Sequence, residues 1–303
     1  MSTQTTTKQD VYTRVTNRII SELEQGVRPW VKPWQSQHAA GCISRPLRAG
    51  GTPYRGVNVV LLWAEAMERG FVAPLWMTYK QAADLGAQVR KGEHGALVVY
   101  ADKITRTETN EDGQEEARDI PFMKGYTVFN VEQIDGLPAH YYVQPLPRVA
   151  PLERIPHAEA FFAATGATIR HGGNGAFYSP SQDIVQLPPF ELFRDAESYC
   201  ATLAHELTHW TRHPSRLDRD MGRKCFGDAG YAREELVAEL GAAFLCADLG
   251  ITPEVQPNHA AYIESWLQVL KNDKRFIFSA ASHAQRAADY LHSLQPAADV
   301  QAP

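Results

Sequence analysis

His205-Glu206-Leu207-Thr208-His209 is the stretch on which the fold of this chain turns. Two histidines four apart lie on one face of a helix, so both imidazoles can reach one cation. Glu206 follows about a third of a turn round, where its carboxylate can address a water activated by the metal instead of binding the ion. The flanks predict the helix this requires. Tyr199, Leu203, Leu207 and Trp210 recur at helical spacing, the helix is expected over residues 201–212, and Pro214 restricts His213 and opposes continuation.

A zinc site that keeps an open position for water takes three protein ligands. The candidates for the third are His213, Asp218 and a glutamate of Arg233-Glu234-Glu235-Leu236-Val237-Ala238-Glu239. Metzincin spacing would put Gly third and His sixth after His209, where this chain has Arg212 and Ser215, so that option fails. His213 lies one turn beyond His209, but Pro214 pushes its backbone out of the α region and turns its ring from the metal. Residues 231–249 read as a long second helix, with Asp228 as N-cap and Gly250 as its stop. Glu235 and Glu239 share one face of it, Glu234 points about a quarter-turn away, and Ala238, Gly241, Ala242 and Ala243 suit close packing against another helix.

With these residues in place the chain resembles the glutamate-zincin peptidases, in which a downstream helix contributes a glutamate ligand and an acidic residue four later supports a ligand histidine. That resemblance implies Glu235 as the third ligand beside His205 and His209, and Glu239 as the carboxylate that fixes a histidine tautomer. Ahead of the motif, residues 176–189 read as two short strands around a Pro-Ser-Gln-Asp turn, either an ordinary hairpin over the helix or one wall of a peptide cleft.

The chain has 303 residues, enough for two domains, and 44% hydrophobic residues, ordinary for a globular protein. Met1-Ser2-Thr3-Gln4-Thr5-Thr6-Thr7-Lys8 has no apolar core and is not a secretory signal, and no apolar run is long enough to span a bilayer. The four cysteines, Cys42, Cys200, Cys225 and Cys246, form no CxxC pair, which fits a reducing cytoplasm. Net charge is −5, but residues 1–101 carry 12 Lys plus Arg against 7 Asp plus Glu, a net of +5, which leaves −10 for residues 102–303.

In the more basic half, residues 10–24 predict a helix with Val11, Val15, Ile19, Ile20 and Leu23 inward. Val27-Arg28-Pro29-Trp30-Val31-Lys32-Pro33-Trp34 alternates Pro-Trp pairs with basic side chains: Trp30 and Trp34 are candidate stacking platforms for unpaired bases, Arg28 and Lys32 candidate phosphate contacts, against packing of the tryptophans into the core. Arg45, Arg48 and Arg55 lie in a glycine-rich stretch that reads as a solvated loop. Residues 58–69 and 78–85 predict helices. Residues 87–100 read as two strands around a glycine turn that carries Arg90, Lys91 and His94. Residues 105–117, polar and aperiodic, read as a long exposed hairpin loop, and residues 120–131 as an aromatic-rich strand that carries Lys124. Five prolines between 138 and 156 mark a linker. The expectation is an α+β chain: a small mixed α+β domain over 1–140, a Pro-rich linker over 141–156, and a zincin-like, gluzincin-type metallopeptidase domain over 157–303. Residues 258–270 and 273–294 predict two closing helices.

In order along the chain, Gly26-Val-Arg-Pro-Trp30, Val89-Arg-Lys-Gly-Glu-His-Gly95, Tyr126-Thr-Val-Phe-Asn-Val-Glu-Gln133, His205-Glu-Leu-Thr-His-Trp-Thr211, Ser215-Arg-Leu-Asp-Arg219 and Arg233-Glu-Glu-Leu-Val-Ala-Glu-Leu240 resemble the ArdC-type antirestriction proteins of conjugative plasmids. The resemblance implies an amino-terminal domain that binds single-stranded DNA without marked sequence preference; the residues read as candidate contacts are Arg28, Trp30, Lys32, Trp34, Arg90, Lys91 and Lys124. It also implies a peptidase-like domain with one divalent metal ion, zinc with manganese as the alternative, and Glu206 as catalytic base. The implied role is to protect incoming plasmid DNA from restriction, with a protein substrate or restriction enzyme as the further partner and no membrane. The alternative is a DNA-binding shield in which the metal is only structural.

Overall fold

The computed structural model describes residues 10–30, 44–109, 115–142, 154–222, 229–251 and 259–296. Helix α1 (Val11–Glu24) starts where the Asp10 carboxylate accepts from the Thr13 N–H, and it buries Val15, Ile19, Ile20 and Leu23, the apolar face its sequence predicts. Strand β1 (Leu47–Arg48) and helix α2 (Val57–Arg69) lead to strand β2 (Leu75–Met77), and Thr78 and Gln81 form a reciprocal capping box at the head of α3 (Tyr79–Asp84). Then follow β3 (Gln88–Val89), the long hairpin β4 (Ala96–Thr109) and β5 (Glu115–Asn130), and the short β6 (Ile134–Asp135).

Two expectations are corrected in this half. Residues 105–109 and 115–117 are strand, paired in register from Thr105↔Asp119 to Thr109↔Glu115, because a ladder held by backbone bonds needs no apolar alternation in its sequence. The two strands expected around the glycine turn at 90–95 belong to different sheets: β3 pairs with β6, while β4 pairs with β5 in the order β1-β2-β5-β4.

The second half opens with α4 (Arg154–Ala164) and the sheet β7-β9-β8, made of β7 (Thr168–His171), β8 (Phe177–Ser179) and β9 (Ile184–Leu187). Strands β8 and β9 are the expected hairpin, and its turn closes with Asp183 at φ 53°, a left-handed conformation that aspartate tolerates better than most residues. Helices α5 (Ala196–Trp210), α6 (Ala229–Leu249), α7 (His259–Asn272) and α8 (Phe276–Ser293) form the body. Asp195 caps α5 by accepting from the Ser198 N–H at 2.7 Å. The N-cap expected at Asp228 lies outside the described residues.

One apolar core runs through both halves of the chain, from α1 and α2 to α5, α6, α7 and α8. Polar ties follow it. Thr16 Oγ1 donates to the Lys274 carbonyl at 2.5 Å, Lys271 Nζ reaches Glu24 at 2.6 Å, and Arg45 grips Asp248 through Nε and Nη2, both at 2.9 Å. Arg45, expected in a solvated loop, is instead buried, because Asp248 and Gln285 accept from its Nε, Nη1 and Nη2. Cys200 and Cys246 are free and buried. Among the described residues no helix is long and apolar enough to cross a membrane.

Candidate metal centre

Helices α5 and α6 approach closely because Gly241 has no side chain: a Cβ there would stand 2.5 Å from Thr208 Cγ2 and 2.8 Å from Thr208 Oγ1. That contact brings the two motif segments together. His205 Nε2 lies 3.5 Å from Glu235 Oε2, and His209 Nε2 lies 3.4 Å from Glu235 Oε1. One donor atom from each of the three falls within 4.8 Å of the others, a separation that suits tetrahedral N/O ligation. His213 and Asp218, the other candidates, stay out of this cluster. The His213 ring is turned to the Ser215 hydroxyl at 2.8 Å, and Asp218 is exposed.

His209 is held from behind. Its Nδ1 stands 3.2 Å from Glu234 Oε1, and a carboxylate has no proton to give, so Nδ1 donates and Nε2 is left to face the cluster. Arg219 in turn holds Glu234 through Nε at 2.9 Å and Nη2 at 2.7 Å, and reaches back to α5 through the Thr208 carbonyl and Thr211 Oγ1. Helix spacing turned Glu234 away from the site, yet Glu234 is bonded to His209; the resemblance implied Glu239 as a carboxylate supporting a ligand histidine. Glu239 Oε2 lies 3.9 Å from Arg28 Nη1, in the neighbourhood of His205.

Burial alone would depress both imidazoles, but Glu235, joined at His209 by Glu234, outweighs it and raises them, so in the metal-free protein they compete for protons. Burial would raise Glu235 and Glu234; the histidines, with Arg219 at Glu234, hold both well below the ordinary carboxylate range. Glu206 is pushed up, first by burial, against the pull of His205 and His209. A carboxylate raised towards neutrality is suited to accept a proton from water.

A cleft of about 270 Å³ opens on these groups, lined by His205, Glu206, His209, Glu235 and Glu239, by Ala176 to Tyr178 of the β8 edge, and by Arg212, Tyr231 and Tyr262. The Tyr231 and Tyr262 hydroxyls lie 3.0 Å apart. Arg216 clamps the β8–β9 turn to the end of α5: its guanidinium stacks 3.9 Å over Trp210 and bonds to Asp183 and Tyr178. The motif Ser215 to Arg219 thus fixes both walls of the site, a role its spacing alone did not disclose.

The residues expected to meet DNA divide. Trp30 is fully buried, edge-on to Trp266 at 6.1 Å, and Arg28 is 8% exposed, so neither presents a surface to a nucleic acid; packing against α7 and Glu239 has taken them into the core. Lys32 and Trp34 lie outside the described residues. Arg90, Lys91 and Lys124 are all exposed, but Arg90 is engaged with Glu93, Asp135 and the Glu132 carbonyl. The sequence did not single out Tyr100 and Tyr126, 49% and 46% exposed, which with Phe122 form an aromatic run across β4 and β5, ring centroids 6.3 Å apart, with Lys124 Nζ 5.1 Å over Phe122. Phe122, Lys124 and Tyr126 alternate along β5, and Tyr100, opposite Lys124, lies diagonal to both rings; that alternation was the signal that could have marked them.

Residues 156–283 match the model of a zincin-like metallopeptidase family, and residues 9–129 that of the N-terminal domain of the anti-restriction factor ArdC. The chain is 46% identical over 295 residues to the uncharacterized protein y4eC of Sinorhizobium fredii (strain NBRC 101917 / NGR234), covering 95% of this chain and 94% of that protein. It is also 41% identical over 308 residues to the DNA primase TraC of Escherichia coli, covering 94% of this chain but 27% of the primase. The metal-free crystal structure of the antirestriction ArdC protein from the R388 plasmid superposes with a TM-score of 0.80 at 48% identity, covering 94% of this chain and 98% of that one. Its Mn(II)-bound structure gives 0.76 at 47%, covering 97% and 100%. With the zincin-like site built on its paired helices, this chain belongs to the ArdC antirestriction family.

Proposed function

We propose that this chain holds one divalent metal ion at His205, His209 and Glu235 and acts as a metallopeptidase-type hydrolase, while its amino-terminal half binds single-stranded DNA without marked sequence preference, so that the protein shields incoming plasmid DNA from restriction during conjugation. The observation that carries the reading is the convergence of two imidazoles and one carboxylate within 4.8 Å, with a further carboxylate, Glu206, in the same cleft. Zinc suits this donor set, and manganese is the alternative suggested by the Mn(II)-bound R388 protein. An ion there supplies Lewis acidity and makes water a nucleophile at neutral pH. Glu206 takes the proton from the attacking water and passes it to the leaving amine. Tyr231 keeps its proton because burial and Glu235 push its hydroxyl up, so it stays a donor to the carbonyl under attack. The exposed edge of β8 gives an extended protein segment a strand to lie beside.

For DNA, the aromatic run Tyr100, Phe122 and Tyr126 supplies stacking faces, with Lys124 and Lys91 for phosphate.

The test compares wild type with Glu206→Ala in metal content, single-strand binding, cleavage of protein substrates and protection of transferred plasmid. The variant is expected to keep metal and DNA binding and to lose cleavage. Undiminished cleavage would remove Glu206 as the base, and undiminished protection without cleavage would leave a DNA shield with a structural metal.

A further inference from the structure

Glu235 and Glu239 stand on α6 in the same i, i+4 relation that lets His205 and His209 converge on α5, so helix geometry alone offers both glutamates to one ion. Both are buried and both line the cleft, yet Glu235 belongs to the cluster of converging donors and Glu239 does not. The difference lies behind Glu239. Arg28, from the segment after α1, sets its guanidinium against that carboxylate, Nη1 to Oε2 at 3.9 Å, and makes no hydrogen bond through Nη1 to any described residue. The buried Trp30 indole N–H, which makes no hydrogen bond to any described residue, lies near the same carboxylate. Trp30 is locked there by Trp266, whose own indole donates to the Ala232 carbonyl at 3.0 Å and whose ring stacks on Tyr262. Two side chains delivered by the amino-terminal half thus occupy the back of a site whose other residues come from α5 and α6.

We propose that Arg28 and Trp30 are positioning residues that hold Glu239 out of the metal's ligand set and so keep a coordination position open for water and substrate. The proposal rests on the metal reading of His205, His209 and Glu235. A fourth protein ligand would close the site, as in structural zinc centres, and an added carboxylate tightens binding of a hard cation. Arg28 therefore weakens metal binding to preserve reactivity, and it makes the centre depend on the half of the chain that lies outside the zincin-like match.

The experiment uses the full chain with Mn²⁺ as probe, reading affinity by calorimetry and the number of metal-bound waters by water-proton relaxation, for wild type and for His209→Ala, Arg28→Met, Arg28→Lys, Trp30→Phe and Glu239→Gln, with the Arg28→Met/Glu239→Gln pair. Arg28→Met is expected to bind Mn²⁺ about tenfold more tightly with at least about one water fewer, Arg28→Lys to behave as wild type, and the double variant to return the water count to that of Glu239→Gln. Removal of a cation near the site would by itself tighten binding, so the same gain in the Glu239→Gln background, with waters unchanged, overturns the proposal in favour of simple charge. Unchanged affinity and hydration in Arg28→Met overturn it as well. If Arg28→Met does not fold, Trp30→Phe, which removes one N–H and keeps an aromatic ring, carries the same test with a smaller shift in the same direction. Absence of Mn²⁺ binding in wild type, or wild-type binding in His209→Ala, would instead overturn the metal reading itself.

Discussion

Arg219 and Glu234 form a two-point ion pair, Nε to Oε2 at 2.9 Å and Nη2 to Oε1 at 2.7 Å, and the oxygen shared with Nη2 also accepts from His209 Nδ1. The pair is buried on both sides, Arg219 at 4% and Glu234 at 3% exposure. It therefore does two things: it ties the segment after α5 to α6, and it sets the tautomer of one imidazole.

Loss of one partner should be costly on both counts. Glu234→Gln leaves Arg219 buried without its counter-charge, for which about 3–5 kcal/mol is the usual penalty, and it loosens the His209 ring. Affinity for Zn²⁺ or Mn²⁺ should fall about 10–100-fold, the common cost of removing a partner behind a ligand histidine. Calorimetry on the folded variant checks the second effect, and denaturant titration of the metal-free protein checks the first.

Gly241 is the hinge of helix spacing. Alanine there would gain about 1 kcal/mol in helix propensity, but its methyl would press on Thr208 Cγ2 at 2.5 Å, a β-branched side chain fixed by its own bond to the Ala204 carbonyl. Overpacking of that kind costs about 1–3 kcal/mol, so Gly241→Ala should lower the melting temperature and weaken metal binding by moving Glu235 away from the histidines. The companion change Thr208→Ala, which removes the obstructing atoms, should restore most of both.

The metal site was legible in sequence because its determinants are local. His205, Glu206 and His209 fall within five residues, and the periodicity of α5 and α6 is carried by apolar residues that a helix must bury. What the sequence hid depended on contacts across long separations. Arg28 and Trp30 read either as a basic-aromatic binding stretch or as core, and only α7 and Glu239 around them decide for the core. Arg45 looks like loop until Asp248 appears beside it. Glu234 sits a quarter-turn from Glu235, and only the depth at which α5 seats against α6, set by Gly241, brings it under His209. The outer arms of β4 and β5 have a polar sequence without apolar alternation, and their pairing is written in backbone bonds that any polar side chain permits.

That exposed hairpin carries the next prediction. If single-stranded DNA stacks on Tyr100 and Tyr126, each change to alanine should cost about 1–3 kcal/mol of binding, the range for one base on one aromatic ring. Lys124→Ala should weaken binding uniformly across sequences and reduce the magnitude of the salt slope by about 0.7, as for one lost phosphate contact on a single strand. Trp30→Phe should leave DNA affinity unchanged, because Trp30 is sealed in the core. Fluorescence anisotropy with a labelled oligothymidine at several salt concentrations separates the three. A large loss with Trp30→Phe and none with the tyrosines would move the interface away from the hairpin.

Asp248 gives the stability of the chain an acid-sensitive element. Burial alone would raise its carboxyl, but His292 Nε2 at 3.1 Å and the Arg45 fork at 2.9 Å outweigh burial and hold it below its ordinary value. A depressed carboxyl adds stability that is fully present above the unfolded-state value, near 3.8, and is lost as pH falls through the folded-state value. Protonation of Asp248 releases Arg45, which also donates to Gln285 on α8, so the amino-terminal half should loosen from α6 and α8 together. Asp248→Asn should therefore lower the denaturant midpoint at neutral pH, where the wild-type carboxylate is charged, and should lose less further stability on acidification below pH of about 4 than wild type does. Denaturant midpoints measured from neutral pH down to about pH 3 read both parts; parallel acid limbs for the two proteins would show that the Asp248 pair contributes nothing to the pH dependence.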